Sequence, residues 1–104
     1  MVQVIWTDAA LQDLNDIGDF IAKDSVRYSE ITVINLFEAV DILENHPRSG
    51  VITPEFNTET IRHLVRGDYK IVYKIIDDFR IDIVTVHNCA RLVTNTKTFK
   101  KKRK

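Results

Sequence analysis

The stretch YKIVYKIIDDFRIDIVTVH, residues 69–87, decides the fold. Its first half alternates between two faces: Tyr69, Ile71, Tyr73 and Ile75 on one, and Lys70, Val72, Lys74 and Ile76 on the other. A period of two is typical of a strand with one face on the core. The pair Asp77–Asp78 favours a turn, after which alternation groups Ile81, Ile83, Thr85 and His87 opposite Asp82, Val84 and Val86. The stretch therefore predicts an antiparallel hairpin.

Two further strands are predicted outside this hairpin. Residues 61–66 alternate as well, with Arg62, Leu64 and Arg66 on one face and Ile61, His63 and Val65 on the other. At the start of the chain, residues 2–6 read VQVIW, which is short and rich in β-branched residues. Residues 51–59, which contain Pro54, are predicted to form a loop.

Between the first strand and this loop the spacing of apolar residues is helical. A first helix, capped by Thr7 or Asp8, carries one apolar stripe made of Ala10, Leu14, Ile17 and Ile21. A second helix is predicted to begin near Ser25 or Ser29 and to end before Pro47. Its apolar positions are Val26, Ile31, Ile34, Leu36, Phe37, Val40 and Leu43. The order of elements predicts an α+β fold: an N-terminal strand, an antiparallel helix hairpin, then three antiparallel strands with the helices on one face.

The length of 104 residues suits one domain, predicted over residues 1–96, followed by a basic, flexible tail over 97–104. The chain shows no secretory signal and no apolar run long enough to span a bilayer, so a cytoplasmic protein without a membrane partner is expected. Cys89 is the single cysteine, which excludes an intramolecular disulfide.

Charge is distributed very unevenly. Residues 1–60 contain 11 acidic and 3 basic residues, whereas residues 61–104 contain 4 acidic and 12 basic ones. Such asymmetry favours an anionic partner or a charged tail. The tail KTFKKKRK alone supplies six of the basic residues.

Candidate functional residues lie in and beside the last three strands. The histidines and Cys89 lack metal-ligand spacing, and the three glycines form no phosphate-binding loop, so no metal or cofactor is expected. Arg62, Lys70 and Arg91 could bind a phosphodiester backbone, with His87 as a general acid or base for metal-free RNA cleavage. The alternative is that Arg62, Lys70 and Lys74 form the solvated face of the sheet and that His87 is a strand-end residue.

Four segments carry a family resemblance: VIWTDAALQDLNDIGDFI (4–21), HPRSGVITPE (46–55), IRHLVRGDYKIVYKI (61–75) and DIVTVHNCAR (82–91). In this order and spacing they resemble the RelE/ParE superfamily of toxins from type II toxin–antitoxin modules, in particular the ParE-like plasmid stabilisation proteins. The resemblance implies the compact toxin fold and neutralisation by a cognate antitoxin.

The resemblance also implies two alternative targets. ParE-like members inhibit DNA gyrase, whereas RelE-like members are ribosome-dependent mRNA endonucleases that use basic residues and a C-terminal His or Tyr. By position Arg62, His87 and Arg91 match the family pattern, and Lys70 stands where arginine is usual. No tyrosine follows Arg91, which favours the gyrase inhibitor over an enzyme.

Under the gyrase hypothesis, the proposed target-binding residues are Arg62, Lys70, Arg91, Lys100, Lys101, Lys102 and Arg103. Under the ribonuclease hypothesis, His87, Arg91 and Arg62 would be catalytic, and the ribosome with its mRNA would be the partner. A third alternative is an inactive relative that only binds its antitoxin.

Overall fold

The computed structural model describes residues 1–89. Its regular elements are β1 (Gln3–Trp6), α1 (Asp8–Ala22), α2 (Val26–Ala39), β2 (Val51–Ile52), β3 (Ile61–Arg66), β4 (Tyr69–Asp77) and β5 (Arg80–Asn88). The strands form one sheet in the order β1-β5-β4-β3-β2, in which β1 runs parallel to β5 and the other neighbours are antiparallel. The predicted α+β fold, with a helix hairpin on a mainly antiparallel sheet, is confirmed.

The loop predicted over residues 51–59 needs a correction, because it contains β2 and a short 3₁₀ turn over Pro54–Phe56. Val51 and Ile52 pair with His63 and Arg62, and so extend the sheet by one two-residue edge strand. Two apolar residues are too short a run to show the alternation from which strands are predicted.

Helix α1 begins where the sequence predicts. The Thr7 hydroxyl accepts a hydrogen bond from the backbone N–H of Ala10 at 3.2 Å and donates one to the carbonyl of Ile83 at 2.7 Å. One side chain therefore caps the helix and ties it to β5. The predicted stripe is also confirmed, since Ala10, Leu14 and Ile17 are buried and Ile21 packs against the core.

Helix α2 is capped by Ser25, and a 3₁₀ turn over Val40–Glu44 continues it. Its buried positions are Ser29 and Leu36, followed by Val40 and Leu43 in the turn. The other apolar residues named from spacing, Val26, Ile31, Ile34 and Phe37, are exposed. The helix pair approaches closely at Gly18, whose carbonyl accepts a hydrogen bond of 2.6 Å from the Ser29 hydroxyl. This contact selects a small polar residue for the buried stripe, so apolar spacing alone does not identify the buried face.

The β4–β5 hairpin supplies much of the core. Ile71, Tyr73, Ile81 and Ile83 are fully buried and belong to the cluster that includes residues of both helices. Lys70 and Lys74 alternate with them and so face away from the helices. We call this side the open face of the sheet. The predicted division between core face and open face of β4 is confirmed.

Strand β5 does not alternate throughout as predicted. Tyr73 pairs with Ile83, but the preceding residue Val72 pairs with Thr85, so Val84 is an extra residue in a β-bulge. Beyond the bulge, each residue of β5 faces the side of the sheet opposite to the one predicted. Val86 is buried in the core, and His87 lies opposite Lys70 on the open face rather than sharing a face with Ile83.

Candidate functional site

A cavity of about 290 Å³ lies on the open face. Its wall is formed by the loop after β2 and by β3, β4 and β5: Thr53, Glu55, Phe56, Ile61, Lys70, Val72, Lys74, Val84, Thr85 and His87. The lining combines apolar side chains with two lysines, a histidine and a glutamate. Such a cavity could accept a ligand that combines an apolar or aromatic group with a negative charge.

His87 and Lys70 are the two predicted site residues that the structure brings together. They are direct partners in the β4–β5 ladder, and both line the cavity. Directly opposite side chains on antiparallel strands have Cβ atoms about 4.5–5.5 Å apart. The bulge at Val84 creates this pairing, because a strictly alternating β5 would turn His87 toward the helices.

His63 is a further residue of this site that the sequence analysis did not select. It is buried on the open face, where its Nδ1 lies 3.1 Å from the Thr53 hydroxyl. Burial lowers the pKa of His63, and repulsion from Lys70 and His87 adds to this shift, whereas Glu55 opposes it. This shift favours the neutral imidazole, and the contact with Thr53 joins β3 to the loop that forms the cavity wall. In the sequence, only the alternation of β3 points to His63, because it places this residue on the face opposite Arg62.

Arg62 is not part of this cavity. It pairs with the core residue Tyr73, and its side chain therefore lies on the helix side of the sheet. There its guanidinium donates to three backbone carbonyls: Glu59 at 2.9 Å, Arg48 at 3.2 Å and Gly50 at 3.0 Å. The bonds to Arg48 and Gly50 hold the loop before β2 against β3. The predicted grouping of Arg62 with His87 is thus not present in the structure.

Tyr73 reinforces the same loop from inside the core. Its hydroxyl donates to the carbonyl of Pro47 at 2.8 Å and accepts from the backbone N–H of Gly50 at 3.0 Å. Burial raises the pKa of Tyr73, although the hydrogen bond from Gly50 and the charges of Arg62 and Arg48 oppose this shift. The hydroxyl therefore stays protonated and acts as a structural clamp.

The other predicted site residues, Arg91, Lys100, Lys101, Lys102 and Arg103, lie outside the described residues, as does the predicted tail over 97–104. Within residues 1–89, no group of three or more His, Cys, Asp or Glu side chains could hold a metal ion. No helix in this part of the chain is long and apolar enough to cross a membrane.

A family model described as the ParE toxin of the type II toxin–antitoxin system parDE matches residues 4–93, which include every described helix and nearly every described strand residue. The chain belongs to this family. The expected membership of the RelE/ParE superfamily is thereby confirmed, and the chain is a type II toxin by family.

Individual relatives agree with this assignment. The toxin is 33% identical over 92 residues to "Toxin RelE2" of Caulobacter vibrioides, which covers 88% of this chain and all of that protein. It is 35% identical over 86 residues to "Putative toxin Y4kP" of Sinorhizobium fredii, covering 81% of this chain and 84% of that one. A solved structure, the chromosomal ParDE TA system from P. aeruginosa, superposes with a TM-score of 0.68 at 21% identity. That superposition covers 85% of this chain and 96% of the other, and it shows a shared fold.

Proposed function

We propose that this toxin inhibits DNA gyrase by binding it, and that a cognate antitoxin neutralises the toxin. The observation that carries the proposal is the ParE family match over residues 4–93. Inhibition by binding requires a surface and no assembled catalytic group. The described residues offer such surfaces on the open face of the sheet and on the outside of the helix hairpin.

The position of Arg62 supports inhibition by binding rather than RNA cleavage. Cleavage by the 2′-hydroxyl without a metal needs a cation beside the acid–base residue, where negative charge develops on the phosphate. Arg62 was one of three predicted cations, with Lys70 and Arg91, but its guanidinium donates to three loop carbonyls on the face opposite His87. Releasing it would leave those carbonyls without their partner.

A ribosome-dependent mRNA endonuclease remains the second candidate, because of one observation. His87 faces Lys70 beside a cavity that Lys74 also lines. In that mechanism His87 would transfer the proton and the lysines would bind phosphate. A lysine binds phosphate as a point charge and lacks the planar fork of arginine, so this set would be a weaker version of the family's ribonuclease site.

The antitoxin is proposed to cover apolar side chains of the helix hairpin. Leu11, Val26 and Ile34 are exposed by 43%, 64% and 54% respectively. A contiguous patch of such side chains would mark a protein interface. The acidic charge of residues 1–60 predicts that the antitoxin segment binding here carries basic residues beside apolar ones.

The basic residues Lys100, Lys101, Lys102 and Arg103 are proposed to contact the DNA held by gyrase. The reason is their charge, since cations that neutralise phosphates release bound counterions and strengthen binding. Replacing the four by glutamine should weaken inhibition and reduce its dependence on salt concentration. Equal inhibition by this variant at all salt concentrations would remove the tail from the interface.

Expression of the toxin without an antitoxin tests the proposed function. We expect DNA breaks that disappear when gyrase carries a subunit variant unable to cleave DNA, while transcripts stay intact. His87→Gln should remain toxic, like the matched control His46→Gln, which alters an exposed histidine away from the cavity. Intact DNA with rapid loss of transcripts, abolished by His87→Gln alone, would establish the ribonuclease instead.

A further inference from the structure

The second turn of α1 is bonded to the strand residues that follow the bulge of β5. One oxygen of Asp13, Oδ2, accepts a hydrogen bond of 2.6 Å from the Thr85 hydroxyl and one of 3.0 Å from the backbone N–H of Val86. Thr85 and Val86 come directly after Val84, the extra residue of the bulge. Because these partners lie 72 and 73 positions from Asp13 in the chain, both bonds form only in the folded domain.

The Asp13 carboxylate takes the place that a neighbouring strand holds earlier in β5. Strand β1 runs beside β5 only as far as Trp6, which pairs with Ile83. The N–H of the next residue, Thr7, donates to the carbonyl of Ile83 at 3.2 Å, and its hydroxyl donates to the same oxygen at 2.7 Å. Beyond this point the N–H of Val86 donates to Asp13 instead. Hydrogen bonds to an ionised carboxylate are stronger than those to a neutral carbonyl, so this contact is well suited to hold a strand edge.

The bulge decides which residues of β5 lie opposite those of β4. Counted without an extra residue from the pair of Tyr73 with Ile83, Lys70 would lie opposite Val86. In the structure Lys70 lies opposite His87. A shift of one residue turns every later side chain to the other face of the sheet, and bulges beside functional sites often redirect a side chain in this way.

Loss of the bulge would change the chemistry of the open-face cavity. Thr85 and His87, which line it now, would turn toward the helices, and the apolar Val86 would take a place on the open face. The cavity would keep its two lysines but lose the imidazole and a hydroxyl. Packing favours the bulged strand, because it buries Val86 in the core. Packing does not supply a partner for the N–H of Val86 at the strand edge, and Asp13 does.

From these contacts we infer that Asp13 is a positioning residue for the open-face cavity, because its carboxylate holds the β5 bulge and thereby keeps His87 opposite Lys70. This role goes beyond the proposed function and is independent of the gyrase target, since it concerns which side chains line the cavity. It also sets a geometric requirement. Both hydrogen bonds end on a single oxygen, so asparagine, whose amide has one carbonyl oxygen, can replace the aspartate, whereas alanine cannot.

Nuclear magnetic resonance of the isotope-labelled full-length chain tests this role through contacts between facing strands. Ile71 and Val86 form a pair without mutual hydrogen bonds, since the Val86 N–H points to Asp13, and the Cα atoms of such pairs lie about 4.5 Å apart. The wild-type protein should therefore show a strong Hα–Hα cross-peak between these two residues, and one between the His87 ring and the Lys70 side chain. Both cross-peaks should lose most of their intensity in Asp13→Ala.

Two variants separate positioning from a general loss of stability. Ser29→Ala removes the 2.6 Å hydrogen bond to Gly18 between the helices, so it weakens the domain without altering a contact of β5, and both cross-peaks should keep their wild-type intensity. Asp13→Asn should keep them as well. The amide hydrogen of Val86 should exchange with solvent about tenfold faster in Asp13→Ala than in either control, because only alanine removes its acceptor.

Unchanged cross-peaks in Asp13→Ala would overturn the inference, because the bulge would then persist without the carboxylate. Equal weakening in Asp13→Ala and Ser29→Ala would overturn it too, since a general loss of stability would explain both. If Asp13→Ala does not fold, Thr85→Val decides, because this change of similar shape removes only the donated hydroxyl. The Val86 amide should then exchange faster than in the wild type, and an equal rate would contradict the role of Asp13.

Discussion

Substituting Gly50 by alanine tests how the loop before β2 packs against Tyr73. A Cβ at this position would lie 2.6 Å from the Tyr73 hydroxyl oxygen, 2.7 Å from Tyr73 Cε1 and 2.8 Å from the His63 carbonyl oxygen. Carbon atoms do not approach neighbours this closely, and none of these three atoms can rotate away. Tyr73 is fully buried, and the third atom is backbone in β3.

The loss in the free energy of unfolding can be estimated from the contacts that an alanine side chain would disturb. Forcing an extra carbon into a well-packed core costs about 1–3 kcal/mol. Shifting the loop also breaks the hydrogen bond from the Gly50 N–H to Tyr73, and a buried polar group without its partner costs about 1–3 kcal/mol more. We therefore expect Gly50→Ala to lower the free energy of unfolding by about 3–4 kcal/mol, a large share of a small domain's stability.

Urea unfolding followed by circular dichroism measures this loss, with Gly67→Ala as the control. Gly67 has a φ of +59°, and no atom lies within 4 Å of the place that an alanine Cβ would occupy, so alanine there meets backbone strain alone. That strain costs about 1–2 kcal/mol. A loss for Gly50→Ala no larger than for Gly67→Ala would refute the packing of this loop against Tyr73.

Three further predictions concern other contacts of the fold. Tyr73→Phe should lower the free energy of unfolding in urea by about 2 kcal/mol, because it removes the hydroxyl that hydrogen-bonds two backbone groups of the loop. An unchanged unfolding midpoint would exclude the clamp. Asp13→Ala should lower the free energy of unfolding by about 2–3 kcal/mol, since this carboxylate accepts two hydrogen bonds from β5. The control Asp16→Ala, at an exposed position of the same helix, should lower it by less than about 1 kcal/mol. Burial, with repulsion from Lys70, lowers the pKa of His63 in the folded state, so the unfolded chain binds the proton more tightly. Its contribution to stability is complete above the ordinary histidine pKa of about 6.5 and falls as pH drops below that value. His63→Asn should flatten this dependence in unfolding curves at pH values of about 5 and 7.5, and an equal slope in both proteins would contradict the assignment.

Much of the fold could be predicted from local sequence patterns. Thr7 and Ser25 cap the two helices, and the alternation of Ile71 and Tyr73 with lysines separates the faces of β4. These signals are strong because each depends on neighbours along the chain. The two-residue β2 gives no such signal, since it is a strand only through its pairing with β3.

The site was harder to predict because it depends on pairing between strands. One extra residue, Val84, exchanges the faces of β5 and places His87 beside Lys70. Nothing in the sequence of β5 alone marks that bulge. Arg62 matched a family pattern. In this structure, however, its guanidinium donates hydrogen bonds to carbonyls of the loop before β2, a contact between distant residues that the local sequence does not reveal.

Incubating the purified toxin with gyrase, ATP and supercoiled plasmid tests the central proposal most directly. Stopping the reaction with detergent and protease reveals DNA that gyrase has cut and not resealed. We expect linear plasmid to accumulate with toxin concentration, only when gyrase is present, and equally for His87→Gln. Unbroken plasmid at every concentration, together with cleavage of ribosome-bound mRNA that His87→Gln abolishes, would contradict gyrase inhibition and establish the open-face cavity as a ribonuclease site.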